Sequence, residues 1–323
     1  MATARAQNDT LQLEVEAPAP GAPRVLTGEL TFPSSSHAQS ATVSLVLFAN
    51  ARSAALGDDP DRIDAQTSVA GCTTTVKRSE AAPRFELPLP PAAASYQGEA
   101  FTIHVGVVAA PDQGTTLRVF VDVPAATEGL SPVLRGLPKE QRLARPAPLF
   151  TAVVMALAGA GLVALAWVRD LLLPGQIGFA VLGVGVLLAF IFRRGALGWL
   201  RVGNPTTRLE ARDGALFAAV RGSDRLSGGR ARIVATEYER YDGHAKELRE
   251  ITSRDAPLEK REDGSWAARV PLPAAGEAPP SLALTGPKRL EAIRWVAKIE
   301  MESARGSVAH VSIPVHVGLQ KDG

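Results

Sequence analysis

Five histidines, a short run of aspartates, one cysteine and one glycine-rich segment are the residues of this sequence whose types could do chemistry. A metal site needs several ligands brought together, often two on one helix turn or one strand face. His37, His104, His244, His310 and His316 are instead scattered along the chain. His310 and His316 could share a strand face, but six residues of strand hold them roughly 20 Å apart. Asp58, Asp59, Asp61 and Asp64 do not match a calcium loop, because Gly57 precedes the cluster and Pro60 interrupts it. They read as a solvated loop.

Gly222 to Gly229, GSDRLSGG, has the glycines of a phosphate cradle without its lysine–hydroxyl pair, and reads as a turn. No Gly-x-Ser-x-Gly elbow is present, and Cys72 has no evident activating partner. These residues predict neither a catalytic centre nor a metal or cofactor site, so the chain is expected not to be an enzyme. Juxtamembrane cations in RGLPKEQRLARP, Arg135 to Pro146, are the remaining local feature. Such cations attract anionic lipid and also fix the orientation of a membrane segment.

The elements that would position any site are bounded by length and charge. The 323 residues suit about two domains. A net charge of +2 gives no global field for nucleic acid, which is not an expected partner. A single cysteine excludes an intramolecular disulfide and thiolate zinc sites. Arginine outnumbers lysine and alanine is abundant, as in GC-rich bacterial sequences. The N-terminal residues contain no apolar run long enough for a secretory signal core.

Two apolar stretches stand out, Leu149 to Val168 and about Leu171 to Phe192, with Gln176 the only strongly polar side chain in the second. About 20 helical residues cross a hydrocarbon core of roughly 30 Å. The spacing predicts a transmembrane helical hairpin over 149–192, with helices over about 149–168 and 172–192. Arg169 and Asp170 mark its turn, and Pro174-Gly175 follow closely. Ala156, Ala160 and Ala164, with Gly178, Gly183 and Gly185, are the expected helix-packing residues, since small side chains let backbones approach in lipid. No ionisable residue lies at depth, so the hairpin reads as an anchor rather than a transport path.

Arg142 and Arg145 before the hairpin, and Arg193 and Arg194 after it, outweigh the lone Arg169 of the turn. Positive charge stays inside, so both termini are expected in the cytoplasm of a cell whose inner membrane carries the hairpin. Trp167 and Trp199 are the expected interfacial anchors.

Strands flank the hairpin on both sides. LQLEVE, VLTGELTF, ATVSLVLFA, RFELPLP, AFTIHVGVV and LRVFVDV alternate in the first part, and ALFAAV, ARIVATEYERY, SWAARVPLP, LEAIRWVAKIEME and AHVSIPVHVG do so in the second. The polar stretch between Asn50 and Arg84 reads as an insertion or irregular edge with weak strand signal in its second half. HAKELREITSRDAPLEKRED reads as a short helix or an extended loop. Asp213-Gly214, Asp242-Gly243 and Asp263-Gly264 supply turns. The predicted fold is mainly β: a sandwich over 1–130, a basic linker over 131–148, the hairpin, and a second sandwich over 193–323.

The two parts share an order of features: FELPLP, PPAAASYQG, FTIHVGVVA and FVDVP in the first, and ARVPLP, APPSLAL, IRWVAKIE and VSIPVHV in the second. Pro279-Pro280-Ser281, Ile293-Arg294-Trp295-Val296 and Pro314-Val315 resemble the arrestin-like superfamily of tandem immunoglobulin-like sandwiches. Ser95-Tyr96-Gln97-Gly98 and Ile103-His104-Val105 match the same outline without its tryptophan, and Asp122-Val123 matches it loosely. The resemblance implies a scaffold that binds other proteins, commonly membrane proteins, and transfers no catalytic residues. The departure is the hairpin, which stands where the tandem family has a short hinge. The expectation is a membrane-anchored, cytoplasm-facing interaction scaffold whose partners are the bilayer and other proteins. The alternative is an accessory subunit of a membrane transport or envelope complex, its hairpin packed on other helices.

Overall fold

The computed structural model describes residues 3–18, 23–51, 65–79, 83–126, 130–142, 147–169, 172–203, 205–222, 225–241, 244–286, 289–306 and 308–321, with side chains described outside 51, 147–149, 192–201, 241, 289–291 and 321. The acidic run at Asp58, Asp59, Asp61 and Asp64, the turn Asp242-Gly243 and Arg145 lie outside the described residues.

Period-two alternation builds the first half. Its strands are β1 (Thr3–Gln7), β2 (Gln12–Glu16), β3 (Val25–Thr31), β4 (Ser40–Ala51), β5 (Ala65–Lys77), β6 (Arg84–Pro88), β7 (Tyr96–Gln97), β8 (Phe101–Pro111) and β9 (Leu117–Val121). One sheet has the order β1-β2-β3-β6, and the facing sheet runs β5-β4-β8. β7 and then β9 share the far edge of β8. Leu13, Val15, Leu26, Leu30, Phe85 and Leu87 point inward from the first sheet. They meet Val43, Leu45, Ile103, Val105, Val107 and Val119 from the second. Glu14 and Glu16, out of phase with them, face outward. This is a two-sheet antiparallel sandwich.

The second half comprises β10 (Leu130–Arg135), β11 (Lys139–Arg142), α1 (Ala147–Arg169), α2 (Leu172–Val202), β12 (Thr206–Arg212), β13 (Ala215–Arg221), β14 (Leu226–Tyr241), β15 (His244–Pro257), β16 (Glu259–Lys260), β17 (Trp266–Pro271), β18 (Leu282–Thr285), β19 (Arg289–Ser303) and β20 (Val308–Lys321). One sheet is β11-β12-β13-β17-β16. In the other, β15-β14-β19 run side by side, and β18 and then β20 share the far edge of β19. β10 closes that sheet along β20. The β12–β13 hairpin turns on Asp213-Gly214, with φ of 45° and 65° at the two residues, the left-handed pair that a two-residue primed turn requires.

The halves are therefore a topological repeat: β1 to β9 correspond in order and pairing to β11 to β15 and β17 to β20, apart from the helices. The likeness extends to single hydrogen bonds. Ser95 N donates to Val123 O at 2.8 Å, and Val123 N donates to Ser95 Oγ at 3.0 Å. Ser281 N donates to Val317 O at 2.8 Å, and Val317 N to Ser281 Oγ at 2.9 Å. The shared Ser segment and final Val strand of the sequence are thus one structural device used twice.

The repeat also locates the hairpin. In the first half, β1 and β2 are joined by a tight turn in which Asn8 Oδ1 accepts from Thr10 N at 2.9 Å and Leu11 N at 2.8 Å. The corresponding strands β11 and β12 pair from Lys139↔Leu209 to Arg142↔Thr206, and the chain between them is the hairpin. Residues 131–148, expected as a linker, instead supply β10 and β11 to the second sandwich. The hairpin is an insertion inside that sandwich rather than a spacer between two. The KEQR of β11 carries no apolar residue because its side chains are almost all exposed, so its strand character left no hydrophobic pattern to read.

Of two further segments, one bears out a weak strand signal and the other differs from expectation. The second half of the polar stretch is the long strand β5, paired along β4. The highly charged segment after Tyr241 is strand β15, paired along β14 with two register shifts. Both are outer strands, where polar side chains cover one face and alternation fades.

Candidate functional site

Two places in this fold depart from what a plain sandwich needs. The first is the hairpin. Phe150–Arg169 and Leu172–Ile191 are both long and apolar enough to cross a membrane. Their apolar side chains point outward: Phe150, Leu157, Trp167, Leu173, Phe179 and Phe190 are all exposed. A helix pair in a soluble core would bury those faces.

The helices meet along a seam of small residues. Ala152, Gly159 and Ala166 on α1 are buried, as are Gly178 and Gly185 on α2. A Cβ on Gly159 would lie 2.4 Å from Leu182 N, and one on Gly185 would lie 2.5 Å from Ala156 N. Of the residues expected to pack the helices, Gly178 and Gly185 lie in this seam, and Ala156 lies against Gly185. Ala160, Ala164 and Gly183 are exposed. The reason is rotational. Residues four apart drift by about 40° per step at 3.6 residues per turn, whereas residues seven apart drift by only about 20°. The seven-residue spacing of Ala152, Gly159 and Ala166, and of Gly178 and Gly185, carries the contact.

Near the turn, a groove of about 480 Å³ opens between the helices, with Val163, Ala166, Trp167, Gly175, Gln176 and Phe179 among its lining. Trp167 is exposed there. At the other end, Arg142 is exposed on β11. Arg193, Arg194 and Trp199 lie within α2, beyond its apolar window, and their side chains are outside the described set. The helix continues to Val202, whose side chain is wholly buried in the core of the second sandwich. α2 also packs against β19 and β20. It is one continuous rod from the apolar segment into the sandwich.

The second place is the junction of the halves. Thr285 of β18 pairs with Gln66 of β5, which joins both inner sheets into one of eleven strands. Beside it, Glu237 of β14 is fully buried. Its carboxylate accepts from Tyr96 Oη at 2.7 Å and from Ala100 N at 3.0 Å, both in the first half. Gly98 makes room: a Cβ there would fall 1.7 Å from Glu237 Oε1. Arg249, opposite Glu237 on β15, forms an ion pair with Glu99 across the same junction. Burial, and then the bond to Glu237, hold the Tyr96 phenol protonated well above its ordinary range.

Tyr96 also lines a mostly apolar cleft of about 160 Å³ between the halves, with Ile103 and Ala126 on one side and Ile251, Pro279 and Leu282 on the other. Glu237 escaped sequence reading because the strand ATEYERY looks half-solvated. Its burial comes from Tyr96, Gly98 and Ala100 of the other half, and the signal available was Gly98.

The histidines do not converge. His104 lies in β8, where burial pushes its imidazole below the ordinary value, partly offset by Asp122. His310 faces Glu300 at 4.0 Å. Burial pushes the Cys72 thiol up, away from the reactive thiolate. Among the described residues no group of three or more His, Cys, Asp and Glu could hold a metal ion.

No protein-family profile matches this sequence, and no curated protein is similar enough to count as a relative. Among solved structures, a point mutant of Salmonella alpha-2-macroglobulin is similar at 12% identity and a TM-score of 0.22, over 96% of this chain and 17% of that one. This chain thus spans under a fifth of that protein.

Proposed function

We propose that the chain is a membrane-anchored scaffold for protein interaction, facing the cytoplasm, with two arrestin-like sandwiches as its binding surface and no catalytic role. The observation that carries this reading is the place of the hairpin. Two helices with outward apolar faces leave a sandwich and return to it between neighbouring strands β11 and β12. That arrangement serves to fasten a β platform to a bilayer. Entry and exit at one sandwich end support a topology with both halves on one side of the membrane. The cations Arg142, Arg145, Arg193 and Arg194 on that side, against Arg169 and Asp170 at the turn, favour the cytoplasm.

Exposed sheet edges support a binding role. Among the described residues β15 pairs only with β14, and β5 beyond Gln66 pairs only with β4. Such edges can take an added strand from a partner. A second reading, an accessory subunit of a membrane transport or envelope complex, draws on the groove near the turn. Its floor of Ala166 and Gly175 and its polar Gln176 suit a neighbouring helix in lipid.

The test uses tags at both termini in oriented vesicles. Protection in right-side-out vesicles with cleavage in inverted ones is the expected result, and exposure on the outer face overturns the orientation. In parallel, residues 143–205 are replaced by Asn-Asp-Thr-Leu, the turn that joins β1 to β2. The product is expected in the soluble fraction with its sandwiches intact. Continued membrane association would place the anchor elsewhere. A lone anchored chain in mild detergent favours the scaffold, and a stable multi-helix complex favours the accessory subunit.

A further inference from the structure

The hairpin leaves the second sandwich at one end, and three loops share that end. Thr206, at the start of β12 just beyond α2, pairs with Arg221 at the end of β13. Val220 of β13 pairs with Trp266 at the start of β17. Leu226 at the start of β14 pairs with Ser303 at the end of β19. The connections β13–β14, β16–β17 and β19–β20 therefore all lie on the hairpin side. Each carries an arginine that is exposed: Arg225, Arg261 and Arg305 in turn. Arg142 and Arg221, also exposed, end the neighbouring strands there. Glu262 and Asp263 are the acidic residues of the middle loop, and Asp263 sits 3.9 Å from Arg221.

We infer that these three loops rest on the membrane surface and bind anionic lipid headgroups through Arg225, Arg261 and Arg305. The inference depends on the hairpin spanning a bilayer, but not on which side the sandwiches occupy. Geometry supplies the reach. α2 runs from the apolar window ending at Ile191 to Val202, a rise of about 16 Å. The headgroup layer fills roughly 5–8 Å of that distance on each face. α2 flanks β19 and β20, so the loop between them begins beside the helix rather than beyond its end. Val202 is locked in the core, so the sandwich is not free to tilt its loops away from the bilayer. Arginines held near an anionic surface are attracted to it, and the attraction fades within a Debye length of salt.

The experiment is hydrogen exchange on the full chain in nanodiscs of neutral phosphatidylcholine and in discs with one third phosphatidylglycerol. Exchange in the three loops is expected to slow by about fivefold or more in the anionic discs. That slowing should vanish in the triple variant Arg225→Gln, Arg261→Gln, Arg305→Gln, and in high salt. Equal exchange in both discs, with the chain resistant to alkaline extraction, overturns the headgroup contact and leaves the membrane reading standing. Equal slowing in both discs also overturns it, since charge would then not matter. Slowing by soluble phosphate in neutral discs would refer the arginines to a free anion instead. A chain that alkaline carbonate extracts from the lipid removes the membrane reading itself.

Discussion

The first sandwich is held to the second through Glu237, and removing its partners one at a time measures that hold. In Tyr96→Phe, the carboxylate loses the 2.7 Å bond and keeps the Ala100 amide. A hydrogen bond to a buried charge contributes about 1.5–3 kcal/mol, and a lost partner leaves the charge under-solvated. In Glu237→Ala both donors, Tyr96 Oη and Ala100 N, are stranded, though a buried charge is also relieved. Each variant should therefore open the junction by about 2 kcal/mol, close to a thirtyfold change in the opening equilibrium. The double variant should cost less than the sum by about 1–2 kcal/mol, because the two side chains share one contact. The readout is hydrogen exchange at the Ala100 amide, whose acceptor is Glu237 Oε2 itself, so local opening is measured without unfolding the chain. If Ala100 exchanges at the same rate in the parent and in Glu237→Ala, the carboxylate does not hold the halves together. Strict additivity in the double variant would refute the pairing of Tyr96 with Glu237.

Two other outcomes follow from the same geometry. Gly159→Val or Gly185→Val should force the helices apart, since either Cβ meets the opposing backbone within 2.5 Å, whereas Gly183→Val points into open space and should be tolerated; cysteine crosslinking across the α1–α2 seam reads the difference, and equal behaviour of all three would refute the seam. His104 titrates below its ordinary value of 6.5, so its contribution to stability is in place above that pH and is lost as the pH falls below it. Thermal melting between pH 7 and 5 should flatten in His104→Gln, and an unchanged pH slope would show that burial of His104 is not coupled to folding.

Much of the fold was legible because alternation survives where one face of a strand is buried and the other wet. β2, β3, β4, β6, β8 and β9 were readable for that reason, and so were β13, β17, β19 and β20. β5 was legible only weakly and β15 was not, since an outer strand with Thr, Lys, Glu and Arg on both faces has little period to detect. The helices were legible from length alone, but their seam only in part: a spacing of four picks residues that rotate out of the contact, and Gly159, which falls outside that spacing, sits at its centre. Glu237 was hidden for a different reason. Its burial depends on the other half of the chain, and no local pattern reports on a partner more than a hundred residues away.

The repeat explains why a hairpin could enter this fold at all. The Asn8 turn shows that β1 and β2 need only a few residues between them at a sandwich end, with Leu11 the one apolar side chain that this connection sends into the core. An insertion at the matching point of the second half leaves every strand pairing intact, as the unbroken β11–β12 register shows. Loop-closure entropy rises only slowly with length, and a hairpin that packs on itself behaves as a shorter loop still. The consequence of that position is asymmetry. The second sandwich is fixed to the helices through β11, β12 and the buried Val202, while the first meets it through contacts that include Glu237, the Arg249–Glu99 pair, one strand bridge and the apolar residues lining the cleft. Any opening of this molecule is therefore expected at the junction, where a partner that inserts a side chain beside Tyr96 would compete with the bond that Glu237 accepts.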